Sequence, residues 1–133
     1  ALTGEEVAAK SDVIILALPL SKFRNIPKHA LAKKLVVDAM NYWWEVDGER
    51  DDFIDPDKPS SNAVQEFLDK SRVVKALNHM GYHNLLDEAK SPGSKNRKAI
   101  AVAGNNQGDV EQVMDLVNNL GFDPLNIGKI EKV

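Results

Sequence analysis

Residues 13–18 read Val13-Ile14-Ile15-Leu16-Ala17-Leu18, six apolar side chains in succession stopped by Pro19. Three further runs repeat the pattern. Leu35-Val36-Val37-Asp38-Ala39-Met40 ends at Asn41, Val73-Val74-Lys75-Ala76-Leu77 ends at Asn78, and Ala99-Ile100-Ala101-Val102-Ala103 ends at Gly104. Near-continuous apolar runs of this length, rather than strict alternation, fit strands covered on both faces of a parallel sheet. A buried helix competes for the same pattern, but these runs are too short for one and each is stopped by Pro, Asn or Gly.

Helical signals fill the gaps between the runs. Thr3 followed by Glu6 forms a capping box ahead of Val7-Ala8-Ala9. Ala63, Val64, Phe67 and Leu68 recur at helical spacing, with Ser60, Ser61 or Asn62 available as caps. A third helix is expected to start at Asp109, with Gln112 completing its cap. Val110, Val113, Met114, Val117 and Leu120 line its apolar face and Gly121 stops it. Ser21–Lys34 is a weaker helical stretch that Pro27 divides. Alternation of helix and strand with short connections predicts an α/β fold with right-handed crossovers.

The chain opens on a capped helix that leads straight into a buried strand. A doubly wound sheet begins with its first strand, so this order predicts the later portion of a longer chain. A complete small domain that has lost its initiator methionine is the alternative. Glu45–Lys58 is acidic and turn-rich and reads as a surface loop, and Ser91–Lys98 reads as a second loop, basic and mobile.

The 133 residues are 43% apolar and 28% charged, with a net charge of -3. That is one globular domain's worth of chain and gives no basic surface for nucleic acid or anionic membrane. No apolar run approaches the ~20 residues of a membrane span. With no cysteine, the chain has no disulfide, no thiolate metal site and no thiol nucleophile. Its composition suits a reducing cytosol, so a cytoplasmic location is expected.

Open parallel sheets bind ligands beyond the carboxyl ends of their strands. Those ends read Leu18-Pro19, Met40-Asn41, Leu77-Asn78-His79 and Gly104-Asn105-Asn106. Asn carries both a donor and an acceptor, which suits a carboxamide or a ribose. Asn is also simply common where strands end. His79 and His83 stand four apart with Gly81 between them, and no third ligand has a recognisable spacing, so no metal site is assigned. The acids of Asp47–Asp57 lack the order of an EF-hand and read as solvated. Trp43 and Trp44 are adjacent and face opposite ways in extended chain. One is expected to anchor the loop to the core while the other meets a ligand or a second subunit. Neither GxxxxGK[ST] nor GxGxxG occurs, and no Ser sits in a nucleophile-elbow setting.

Taken together, SDVIILALPLSKFRNIPKHALAKKLVVDAMNYW, DGE, VVKALNHMGYHNL and RKAIAVAGNNQGDVEQVMDLVNNLGFDPLNIG resemble the NADPH-dependent deazaflavin (coenzyme F-420) reductase family. The order and spacing follow that family over nearly the whole chain, and VVDAMNYW and VVKALNHMGYHNL are the most specific phrases. The resemblance implies the later portion of a doubly wound, mainly parallel Rossmann-type sheet in three αβα layers. Residues 1–133 would form a partial NAD(P)-binding domain lacking its first strands, glycine-rich turn and 2′-phosphate grip. The implied activity is an NADP-dependent oxidoreductase passing a hydride between NADP(H) and deazaflavin coenzyme F-420 or a similar acceptor.

Leu18 and Pro19 would then lie beside the nicotinamide ribose and ring, and Met80 and Tyr82 would flank the nicotinamide, with the Tyr82 N–H near its carboxamide. Asn41 and Asn78 match the polar ends of neighbouring strands. No catalytic residue is named, because the cofactors carry the hydride chemistry. The expected partner is a small-molecule cofactor or substrate, with a homodimer as a further possibility and no nucleic acid or membrane. Without the glycine loop, NADPH is expected to bind at least a hundredfold more weakly than to a full-length parent. The alternative is a non-catalytic nucleotide-binding or interaction module with a Rossmann-like fold.

Overall fold

Along the central strands, alternate side chains enter two separate cores. Val36 and Val73 join Leu16, Phe23, Val64 and Leu68 on one face of the sheet. Leu35, Val37 and Val74 join Ile100, Val102, Val110, Val113 and Phe122 on the other. This is why the runs read as continuously apolar: a period of two with both faces covered leaves no polar position. The computed structural model describes residues 1–132; Val133 and the side chains of Tyr82 and Lys132 lie outside the described residues.

Five strands form the sheet, β1 (Val13–Leu16), β2 (Leu35–Asp38), β3 (Arg72–Lys75), β4 (Ala99–Gly104) and β5 (Asp123–Gly128), in the spatial order of the chain. β1, β2 and β3 are parallel, β4 runs antiparallel to β3, and β5 is parallel to β4. The helices are α1 (Gly4–Ala9), α2 (Trp44–Asp47), α3 (Ser60–Phe67), α4 (Tyr82–Asp87) and α5 (Gln107–Leu120). Ala8 of α1 and Val64 of α3 pack in the first core. Val110, Val113 and Val117 of α5 pack in the second. The expected α/β fold in three layers, with a mainly parallel sheet, is the one observed.

The four expected strands are present and shorter at their carboxyl ends, except that β4 extends through Gly104. β5 is not legible in the sequence. Its residues, Asp123-Pro124-Leu125-Asn126-Ile127-Gly128, are mostly solvent-facing, and Pro124 is tolerated because β5 is an edge strand.

The capping box of α1 forms as expected, with Thr3 Oγ1 accepting from Glu6 N–H and Glu6 Oε2 accepting from Thr3 N–H. Gly121 closes α5 at φ 110°, in the left-handed region. Two caps differ from expectation. α5 begins at Gln107 with Asn106 as its cap, the Asn106 Oδ1 accepting from Asp109 N–H at 3.0 Å. Asp109 is instead buried and paired with Arg72 at 3.0 Å. α3 starts after Pro59 with no side-chain cap.

The two loops are more structured than their composition suggests. Glu45–Lys58 contains most of α2 and a 3-10 turn at Arg50–Asp52. Trp43 and Trp44 are each 61% exposed, so neither anchors the segment. Tyr42 does so, its hydroxyl donating to Gly48 O and its ring resting 6.2 Å from that of Phe53. The basic loop is tied down at Arg97. This side chain is 3% exposed and donates to Lys90 O, Asn118 Oδ1, Asn118 O and Asp123 Oδ1.

Candidate functional site at the carboxyl edge of the parallel strands

The register of the three parallel strands sets the geometry of the edge. Leu16 pairs with Asp38 and Asp38 with Lys75, so these three residues lie level across the sheet. Beyond that line the ladder continues, with Ala39 N–H donating to Leu16 O at 3.1 Å and Ala76 N–H donating to Asp38 O at 3.2 Å. Leu18-Pro19, Met40-Asn41 and Leu77-Asn78 therefore leave the sheet the same number of residues past the line. The side-chain amide of Asn41 donates to the Asn78 carbonyl and joins the second turn to the third.

The residues expected from the sequence take different places on this edge. Leu18 is half-buried against the first core, and Pro19 is exposed and precedes a 3-10 turn at Leu20–Asn25. Asn41 is exposed and Asn78 half-buried. Met80 is half-buried against the second core, and Tyr82 is the first residue of α4. His79 is exposed on the same loop.

Gly104-Asn105-Asn106 does not share the edge. Because β4 is antiparallel to β3, with Gly104 opposite Val74 and Ala103 opposite Lys75, its carboxyl end points toward the amino ends of β1–β3. There Asn106 caps α5 and Asn105 accepts from Ile130 N–H, both structural duties.

Three charged residues support the edge and escape a reading of the sequence. Asp47 accepts from Ser21 N–H and from Trp43 N–H, each at 2.9 Å, and so ties the turn after Pro19 to the segment after Asn41. Partial burial pushes its carboxyl up, but the two backbone donors outweigh that and hold its pKa below the ordinary 3.8. Asp38 and Lys75 form a buried pair at 3.3 Å, with side chains 0% and 4% exposed. Burial pushes the Lys75 ammonium below its ordinary 10.5, against the pull of Asp38. The signal that could have found the pair is a single charge in each of two apolar runs, VVD and VVK, at matching positions.

The edge presents the exposed Asn41 and His79 side chains and the exposed Pro19, with Leu18, Asn78 and Met80 half-buried beside them. Lys75, beneath the edge, is buried and already paired with Asp38, so it offers no free charge there. A wide depression of about 420 Å3, lined in part by Lys90, Ser91, Asn118 and Gly121, opens at the same end of the sheet.

Known proteins share this architecture. The family model described as NADP oxidoreductase, coenzyme F420-dependent, matches residues 1–42, from before α1 through Asn41 to Tyr42. Protein YjhV of Escherichia coli (strain K12) is 48% identical over 48 residues, which are 36% of this chain and 32% of YjhV. A candidate F420-dependent NADP reductase from Arthrobacter sp. FB24 superposes with a TM-score of 0.79 at 22% identity, covering 97% of this chain and 60% of its own. Pyrroline carboxylate reductase of Plasmodium falciparum, solved with NADP bound, superposes with a TM-score of 0.61 at 18% identity, covering 96% of this chain and 40% of its own. The chain thus spans between about a third and three-fifths of the length of these proteins. The superpositions establish a Rossmann-like fold for this chain, and its first 42 residues are similar to the family described as NADP oxidoreductase, coenzyme F420-dependent.

Proposed function

We propose that this chain is the nicotinamide-side portion of an NADP-dependent oxidoreductase domain, with Leu18, Pro19, Asn41, Asn78, Met80 and the Tyr82 N–H forming the surface against which the ring is placed. The observation that carries this reading is the convergence of Pro19, Asn41 and Asn78 on one sheet edge, within a fold shared with NADP reductases. The bound cofactor would supply the hydride, passed to deazaflavin coenzyme F-420 or a similar acceptor. The chain's own residues bind and orient: Asn41 and Asn78 present donors and acceptors to the carboxamide, and Met80 offers a soft apolar contact to the ring face. Hydride transfer depends on ring alignment more than on an acid or base, so no side chain is assigned a proton to move.

Binding of the two halves of the dinucleotide tests the reading. The chain has no GxGxxG turn to hold a pyrophosphate. In calorimetric titrations, reduced nicotinamide mononucleotide should therefore bind saturably, with Kd in the millimolar range, while 2′,5′-ADP shows no saturation. Saturation by 2′,5′-ADP alone contradicts the assignment, because the edge would then serve the adenosine end.

A further inference from the structure

Asp38 and Lys75 stand directly beneath Asn41 and Asn78, one on each strand that delivers them. Asp38 Oδ1 accepts from Met40 N–H at 2.9 Å, and the Lys75 ammonium donates to the Met40 carbonyl while standing 3.3 Å from Asp38 Oδ1. Both peptide groups flanking Met40 are thus held by the pair, and Asn41 is the next residue along the chain. Removing two charges from water costs more than their attraction commonly returns, so a buried pair of this kind is poorly explained by stability alone. The other carboxylate oxygen, Asp38 Oδ2, is buried and has no hydrogen-bond partner among the described residues, which adds to the cost of keeping the pair buried.

We propose that Asp38 and Lys75 are positioning residues that fix the Met40 peptide, aim the Asn41 amide at the Asn78 carbonyl and so pre-set the polar rim that receives the nicotinamide carboxamide. The ligand half of this proposal rests on the reading under Proposed function; the geometric half does not. A pair serving only to hold β2 to β3 would affect melting and leave the rim of a folded variant unchanged.

The test uses the whole chain and two readouts: the exchange rate of the Asn41 side-chain NH2, followed by NMR, and affinity for reduced nicotinamide mononucleotide. The double variant Asp38→Asn/Lys75→Met removes both charges at similar volume and keeps an acceptor for the Met40 N–H. In the folded variant the Asn41 NH2 should exchange at least tenfold faster and the affinity should fall at least fivefold. A folded variant with both readouts unchanged overturns the proposal and leaves the nicotinamide reading standing. If the unaltered chain shows no saturation while the Asn41 amide loosens in the variant, the nicotinamide reading falls and the geometry stands. Asn41→Ala, at an exposed position, covers the case in which the double variant does not fold. It should lower affinity at least fivefold, and unchanged affinity overturns the claim that the rim set by Asp38 and Lys75 receives the carboxamide.

Discussion

Leu77 takes φ 67° although it is branched, apolar and only 8% exposed. The left-handed region costs a non-glycine residue about 1–2 kcal/mol, and this strain lies between Lys75, the last residue of β3, and Asn78. It turns the chain out of the sheet at the point where the Asn78 carbonyl meets the Asn41 amide. Gly81, four residues on, is the opposite case. Its φ of -66° is open to any residue, and among the described residues beyond its chain neighbours a Cβ there would meet only Asn84 Nδ2, at 3.9 Å. The fold therefore does not require glycine at this position. Gly81→Val should leave the melting temperature within a degree or two. With nicotinamide on this edge, the valine side chain would stand between backbone and ring. Affinity for reduced nicotinamide mononucleotide should then fall at least tenfold, or ~1.4 kcal/mol. His79→Ala should matter much less. Equal losses from the two substitutions would rule out a close approach of the ring to the backbone at Gly81.

At the scale of elements, what the sequence discloses follows from what is buried. β1 to β4 are legible because their side chains fill two cores, while β5 is not because its residues mostly face solvent. Strand direction leaves no mark on an apolar run, so the antiparallel entry of β4 is invisible in the sequence and Asn105-Asn106 is expected on the wrong edge. Asn41 and Asn78 can be read as strand ends. Asp38 and Lys75 are legible only when the two apolar runs are compared, since one charge near the end of a single run looks like the start of a turn. Asp47 is hidden among the acids of its loop, yet it fastens the turn at Ser21 to the Trp43 segment.

That attachment has a pH dependence whose sign follows from the lowered pKa. The folded state favours the Asp47 carboxylate, so its contribution is fully present above the unfolded pKa, near 3.8, and is lost as pH falls through the lower folded value. Trp43 and Trp44 are exposed reporters on the same segment. Their fluorescence should change on acidification below pH ~3.8, and Asp47→Asn should abolish that step. The same acid transition in the variant would assign it to another carboxylate.

Across the whole molecule, the single antiparallel pairing, between β3 and β4, divides the duties of a sheet whose other three pairings are parallel. The three parallel strands carry Leu18-Pro19, Asn41 and Asn78 to one end, and the excursion from Asn78 through α4 stays at that end until β4 begins. The opposite end is given to structure, with the Arg72–Asp109 pair and the Asn106 cap joining β3 to α5. A match of residues 1–42 to an NADP oxidoreductase family covers the first two of the three edge turns, and the third, at Asn78, is joined to the second by the Asn41 amide. Whether this edge receives the nicotinamide can be read from backbone amide shifts during titration with reduced nicotinamide mononucleotide. Shifts should concentrate at residues 18–21, 40–42 and 77–82 and saturate together. Shifts concentrated instead at 89–92 and 118–121, around the open depression, would place the ring elsewhere and overturn the assignment.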